Sequence, residues 1–176
     1  TWSGDGLDVQ MFANMGFSWG HLWSPYIIDH MGNPAFEVVP MEHMGDKAEW
    51  MTDNPALSAK QGGYLLFLNE PDSGYGGDDY RKPDGAPWAK YDYANSFRMA
   101  WLAVNEVNPE AKWVVGNIYD IVGSGRVWLS DFMTAYRDVY GDWPPVAGIG
   151  IHNYPGGYDK NDWRNRLLSF RDWLNV

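Results

Sequence analysis

Gly63 to Asp72 reads GYLLFLNEPD, and this stretch narrows the choice of fold more than any other. Tyr64 to Leu68 are all apolar or aromatic. A run that short and unbroken predicts a strand buried on both faces, as in a parallel sheet. Pro71 has no amide hydrogen to give a ladder, so the strand is expected to stop there. Strand alternation sets Leu66, Leu68 and Glu70 on one side, and Leu65, Phe67 and Asn69 on the other. Glu70 is then a carboxylate leaning over the C-terminal end of a buried strand, where α/β barrels and open α/β sheets carry catalytic groups. In the competing reading Asn69 caps a helix, with Glu70 and Pro71 in its first turn. The following SGYGGDDYRKPDG has no helical period and speaks against that.

Apolar periodicity divides the rest of the chain into alternating strands and helices. Met15 to Trp23 reads as a strand and its loop, and Ala35 to Met41 as a second strand, with Glu42, His43 and Met44 at its C-terminal end. Asp46 to Gly62 reads as helical, interrupted by Pro55. After the Tyr64–Leu68 strand comes a long excursion, Asp72 to Asp92, rich in Gly, Asp and Tyr; loops of that length usually carry function. Tyr93 to Val107 then has Ala94, Phe97, Ala100, Trp101 and Val104 on one helical face and is closed by Asn108-Pro109. Lys112 to Gly116 is a fourth strand, Arg126 to Tyr140 a helix stopped by Gly141, Val146 to His152 a fifth strand, and Asn161 to Leu174 a last helix. Alternation of this kind predicts a parallel sheet with right-handed crossovers. Trp19-Gly20-His21, Asn69-Glu70 and His152-Asn153-Tyr154 should meet at one edge of it. The expected fold is α/β: a partial (β/α)₈ TIM barrel of about five parallel strands, with residues 1–176 forming one partial domain.

Composition limits the partners. The 176 residues carry a formal charge of −10, which disfavours nucleic acid and anionic membrane surfaces. No run approaches the 18 apolar residues of a membrane span. With no cysteine, thiolate chemistry and disulfides are excluded. Thr1 to Val9 has neither a basic start nor an apolar run, so no signal peptide is expected there. Aromatic residues make up 16% of the chain, and Trp23, Tyr75, Tyr80, Trp88, Tyr154 and Tyr158 sit beside Gly, Pro and Asp. Aromatic faces beside carboxylates suit sugar rings, which stack through their C–H faces while their hydroxyls bond to the rim.

Asn-Glu-Pro at the end of an apolar strand resembles the fourth-strand signature of clan A glycoside hydrolases. The chain is more closely similar to glycoside hydrolase family 128, the endo-β-1,3-glucanase-like (β/α)₈ enzymes. The matching segments are Ser18-Trp19-Gly20-His21-Leu22-Trp23, Val39-Pro40-Met41 and His152-Asn153-Tyr154. The resemblance implies that the five strands are strands 2 to 6 of the family pattern, so that strands 1, 7 and 8 lie outside the chain. It implies that Glu70 is the general acid/base and that Asn69 binds the 2-hydroxyl of the cleaved sugar. It places His152 and Tyr154 at the same edge. Strand 7 of the clan carries the nucleophile. Here no Glu follows Glu110, and Asp159, Asp162 and Asp172 lie on or before a helix, so the partner carboxylate is expected elsewhere and this fragment is expected to be inactive alone.

A retaining glycosidase needs two carboxyls about 5–5.5 Å apart, one to protonate the leaving oxygen and one to attack. Glu70 fills the first role. Trp19, Trp23 and Trp88 are candidate stacking platforms, and Glu42 is a candidate polar contact with substrate. Trp19 and His152 each have a plainer reading, Trp19 as filler of a barrel mouth and His152 as a structural histidine. The histidines lack metal-ligand spacing, so neither metal nor cofactor is expected. The expected partner is a polysaccharide or oligosaccharide, bound by a monomer that acts outside the cell or at the cell wall. Other β-glycans such as cellulose or mannan, and carbohydrate binding without catalysis, remain as alternatives.

Overall fold

The computed structural model describes residues 14–15, 19–22, 37–42, 63–73, 90–154 and 159–175. Five parallel strands follow one another across a single sheet in chain order: β1 (Trp19–Leu22), β2 (Glu37–Glu42), β3 (Tyr64–Phe67), β4 (Lys112–Ile118) and β5 (Gly148–Ile151). Among the described residues, three long helices, α1 (Lys90–Val107), α2 (Ser124–Tyr140) and α3 (Lys160–Leu174), follow β3, β4 and β5. Sequential order with a helix after the strand is the arc of a partial (β/α)₈ barrel, as expected. The helix expected over Asp46 to Gly62 lies outside the described residues, as does most of the Asp72–Asp92 excursion; Lys90 to Asp92 are already helical.

The alternation within β3 decides how the layers pack. Leu65 and Phe67 are fully buried, while Tyr64 is exposed and Leu66 half-buried. The buried pair belongs to one core with residues of α1 and α2. The Phe67 ring lies 5.3 Å from Tyr93, 5.5 Å from Phe97 and 6.1 Å from Trp113, each edge-on. Phe132 of α2 closes the cluster against Tyr93 and Phe97. Edge-to-face pairs contribute about 0.5–1.5 kcal/mol each beyond their buried area, so this aromatic seam holds the helices to the sheet. The opposite face is open: Tyr64, Leu66, Val39, Met41, Val114 and Ile151 line a cavity of about 450 Å³. The apolar run of β3 is thus buried on the helix side and only partly on the other, which corrects the expectation of two buried faces.

Two further expectations are corrected. β3 ends at Phe67, four residues before Pro71, because Leu68 takes a left-handed φ of +56°. That turn also breaks the alternation: Leu68 joins Leu65 and Phe67 in the helix-side core instead of lying with Leu66. The elements elsewhere shift by small amounts. Met15 lies in a turn ahead of β1, β4 continues to Ile118, and β5 covers only Gly148–Ile151.

Helix ends show how local sequence sets these limits. Gly141 closes α2 with a left-handed φ of +79° and donates its amide to Arg137 O at 2.8 Å, the conformation that glycine adopts without steric cost. Asp159 caps α3 by accepting the Asn161 amide at 2.8 Å. At the start of α2 the capping acceptor is Asp120. Its Oδ1 accepts the Val122 amide at 3.0 Å and its Oδ2 the Ser124 amide at 2.9 Å. Burial works against the charge, but these amide bonds outweigh it and hold the Asp120 carboxyl below its usual range.

Candidate active site

Glu70 lies just beyond the C-terminal end of β3 and is 7% exposed. Its backbone is left-handed, with φ of +49°, and the Pro71-Asp72 turn after it is closed by the Ser73 amide donating to Glu70 O at 2.9 Å. A buried carboxylate needs hydrogen-bond partners, and β5 provides them. The His152 amide donates to Ile118 O at 2.8 Å, which extends the β4–β5 pairing by one residue and sets the imidazole at the same edge. His152 Nδ1 then meets Glu70 Oε1 in a very short contact. The Tyr154 hydroxyl donates to the same oxygen at 2.8 Å and lies 3.0 Å from His152 Nδ1. An imidazole and a phenol hydroxyl therefore meet at one carboxylate oxygen.

Tyr154 is fixed in the protonated form. Burial first, and then its hydrogen bond to Glu70 and the charge there, push its hydroxyl up to about 12. A second carboxylate lies close by. Asp72 Oδ1 accepts the Tyr119 amide at 2.8 Å and Oδ2 the Asp120 amide at 3.2 Å. Burial raises the Asp72 carboxyl above its usual range and outweighs the two amide bonds; the Glu70 charge adds to the rise. On the cavity wall, burial and then the proximity of His152 lower the His21 imidazole.

An aromatic rim adjoins the buried carboxylate. The Tyr119 and Tyr154 rings lie 5.2 Å apart, inclined at 39°, and both residues are exposed. Among the described residues no group of three potential metal ligands occurs.

The residues expected from the sequence divide into three groups. Glu70, His152 and Tyr154 come together as described. Asn69 is 2% exposed, beside Glu70. For Trp19 and Glu42 the backbone alone is described: Trp19 pairs with Glu37 on β1–β2, and Glu42 pairs with Phe67, so Glu42 does reach the edge at which β3 ends. Trp23 and Trp88 lie outside the described residues, as do His43, Tyr75, Tyr80 and Tyr158.

Sequence reasoning missed Asn117, Tyr119 and the clamping role of Asp72. For Asn117 alone a local signal is present: Gly116-Asn117 pairs the two residue types that most readily take a left-handed backbone, at the glycine where the sequence predicts the fourth strand to end.

Comparison with known proteins follows the same lines. A family model described as the glycosyl hydrolase catalytic core matches residues 2–174. Comparison with curated proteins gives no match. Among solved structures, the chain is similar to a family 128, subgroup II endo-β-1,3-glucanase from Sorangium cellulosum, at 19% identity and a TM-score of 0.65, covering 95% of this chain and 64% of that one. A subgroup I endo-β-1,3-glucanase from Amycolatopsis mediterranei, in complex with laminaritriose, matches at 17% identity and a TM-score of 0.62, covering 97% and 63%. A variant of that enzyme in complex with laminaripentaose matches at 18% and 0.64, covering 99% and 64%. The chain therefore spans a little under two thirds of the length of these neighbours.

Proposed function

The chain belongs to the family of glycosyl hydrolase catalytic cores, and on that premise we propose that it carries the acid/base half of a site that hydrolyses β-1,3-glucan with retention. The observation that carries the reading is the Glu70 carboxylate, buried at the C-terminal edge of the sheet with Tyr154 and His152 on one oxygen. Protonating the leaving oxygen needs a carboxyl that gives up its proton in the transition state and recovers it from water afterwards. His152 and Tyr154 hold the Oε1 side and so set the direction of the carboxyl. The rim of Tyr119 and Tyr154 offers a sugar ring an apolar face beside that carboxyl. The neighbours with laminaritriose and laminaripentaose support β-1,3-linked glucose as the substrate class.

In this reading Asn69 meets the 2-hydroxyl, and Trp19, Trp23, Trp88 and Glu42 extend the glycan cleft. The nucleophile in this reading is a carboxylate outside this chain, since Asp159, Asp162 and Asp172 cap or lie on α3 instead of ending a strand.

The test is Glu70→Gln in the full-length protein that carries both catalytic carboxylates, assayed by reducing-end release from laminarin. Removing a general acid lowers turnover by about 10²–10⁴-fold, and laminarin binding should persist. Turnover equal to that of the unaltered protein excludes Glu70 from the mechanism.

A further inference from the structure

The β3–β4 ladder pairs Tyr64 with Lys112, Leu65 with Trp113 and Leu66 with Val114. Just past these pairs both strands leave regular geometry. Leu68 and Glu70 are left-handed at φ of +56° and +49°, and opposite them Gly116 and Asn117 are left-handed at +89° and +44°. The β4–β5 register slips at the same point, between Val115 and Ile118. A non-glycine residue keeps such a backbone only where its surroundings hold it there. Among the described residues the three non-glycine cases are Leu68, Glu70 and Asn117, all at this one place.

Asn117 supplies what holds them. Its side-chain Nδ2 donates to Phe67 O at 3.3 Å and to Leu68 O at 2.5 Å. Its backbone carbonyl accepts the Glu70 amide at 3.0 Å. One residue, 4% exposed, thus grips the chain at three points on the approach to Glu70. Space for it comes from β5: a Cβ on Gly150 would overlap Asn117 Oδ1 and lie 3.0 Å from its Cα.

We propose that Asn117, seated over Gly150, is the positioning residue that sets the direction of the Glu70 carboxyl. This rests on Glu70 being the acid/base. Asn117 acts through the backbone: it fixes the left-handed turn from which the Glu70 side chain departs, and so the point where Oε1 meets Tyr154 and His152. A proton donor displaced by about 1 Å loses on the order of a hundredfold in rate.

Three variants, made in the full-length protein that carries both catalytic carboxylates, test it with laminarin as substrate. Asn117→Gly keeps the left-handed backbone at no steric cost and removes only the amide. Gly150→Ala keeps Asn117 but puts a methyl group where its Oδ1 lies. Each should lower kcat about tenfold to a hundredfold with KM nearly unchanged, since an interaction that sets the chemical step leaves substrate binding alone. The double variant should be no worse than the more damaging single, because both changes remove the same splint. Wild-type kcat in Asn117→Gly overturns the proposal. A rise in KM at constant kcat does so too, because it assigns Asn117 to substrate binding.

Glu70→Gln measured in parallel separates the two ideas. If it turns over normally, the acid/base reading fails; if it is inactive while Asn117→Gly is normal, only the positioning role fails. Amide hydrogen exchange provides a readout independent of activity. Asn117→Gly should speed exchange of the Glu70 amide about tenfold or more while α1 and α2 keep their protection, and an unchanged Glu70 amide overturns the proposal. Should Asn117→Gly loosen the helices as well, Gly150→Ala is read the same way.

Discussion

Asp72 reaches from the turn after β3 to take the amide of Tyr119, beyond the end of β4, at 2.8 Å. Its other oxygen takes the Asp120 amide at 3.2 Å, and Gly125 leaves room for it: a Cβ there would come within 2.6 Å of Asp72 Oδ2. The carboxylate therefore ties the loop that presents Tyr119 to the segment that presents Glu70, and Tyr119 in turn packs on Tyr154.

This clamp has a pH signature. Burial, the largest influence, raises the Asp72 carboxyl above its usual range. The folded state then holds the proton more tightly than the unfolded chain. Stability contributed by Asp72 is complete below the unfolded value, about 3.9, and declines as pH rises through the raised folded value. Asp72→Asn removes the titration, so the fall in unfolding free energy over that interval should be smaller in the variant. Above it, Asn presents one acceptor to two amides, and the variant should be less stable by about 1 kcal/mol. Urea denaturation at a series of pH values measures both effects; parallel curves for the two proteins would remove Asp72 from the pH dependence.

Tyr154 connects the clamp to the proposed chemistry. A hydrogen bond to a charged group is worth about 1.5–3 kcal/mol, so Tyr154→Phe should reduce turnover of laminarin by roughly ten- to a hundredfold. The tyrosine itself reports the charge at Glu70. Its hydroxyl is pushed up to about 12 by burial first and by Glu70 second. Glu70→Gln should therefore lower that value part of the way toward 10 and no further. Titration of ring-labelled tyrosine followed by NMR gives the answer. No change on removing Glu70 would mean that the hydroxyl does not sense that carboxylate.

How far the sequence disclosed this arrangement depended on the kind of signal each part leaves. The strands and helices were legible because burial against a single partner layer imposes a period. Leu65 and Phe67 alternate with Tyr64 and Leu66, and Phe97, Ala100 and Val104 repeat along α1. Glu70 was legible because a charged residue closing an apolar run is costly without a purpose, and His152 and Tyr154 because they close another. What escaped was the geometry between strands. Three non-glycine left-handed residues break the strand period, and alternation extended through Leu68 gave the wrong face. Asn117 and Asp72 act on backbone amides and carbonyls of distant segments. A polar side chain bound to a remote main chain has no partner residue type to mark it in a sequence.

Tyr93 of α1 also acts on the backbone of distant segments. Its hydroxyl is buried between β3 and β4, donating to Phe67 O at 3.0 Å and accepting the Gly116 amide at 3.3 Å. It bridges the strands just where their regular pairing ceases. Tyr93→Phe conserves the ring and its edge-on contacts with Phe67 and Phe132, so no packing is lost. The cost falls on the two backbone groups. Phe67 O retains Asn117 Nδ2 at 3.3 Å, but the Gly116 amide loses this partner while buried, a penalty of about 1–3 kcal/mol. Tyr136→Phe is the contrast: its hydroxyl accepts an N–H of Arg98 at 3.0 Å, so the loss falls on a side chain and leaves the strand pairing intact. Combining Tyr93→Phe with Asn117→Gly takes both donors from Phe67 O. The double variant should then be less stable than the sum of the singles by about 0.5 kcal/mol or more. Additive unfolding free energies would show that the two side chains do not share that carbonyl.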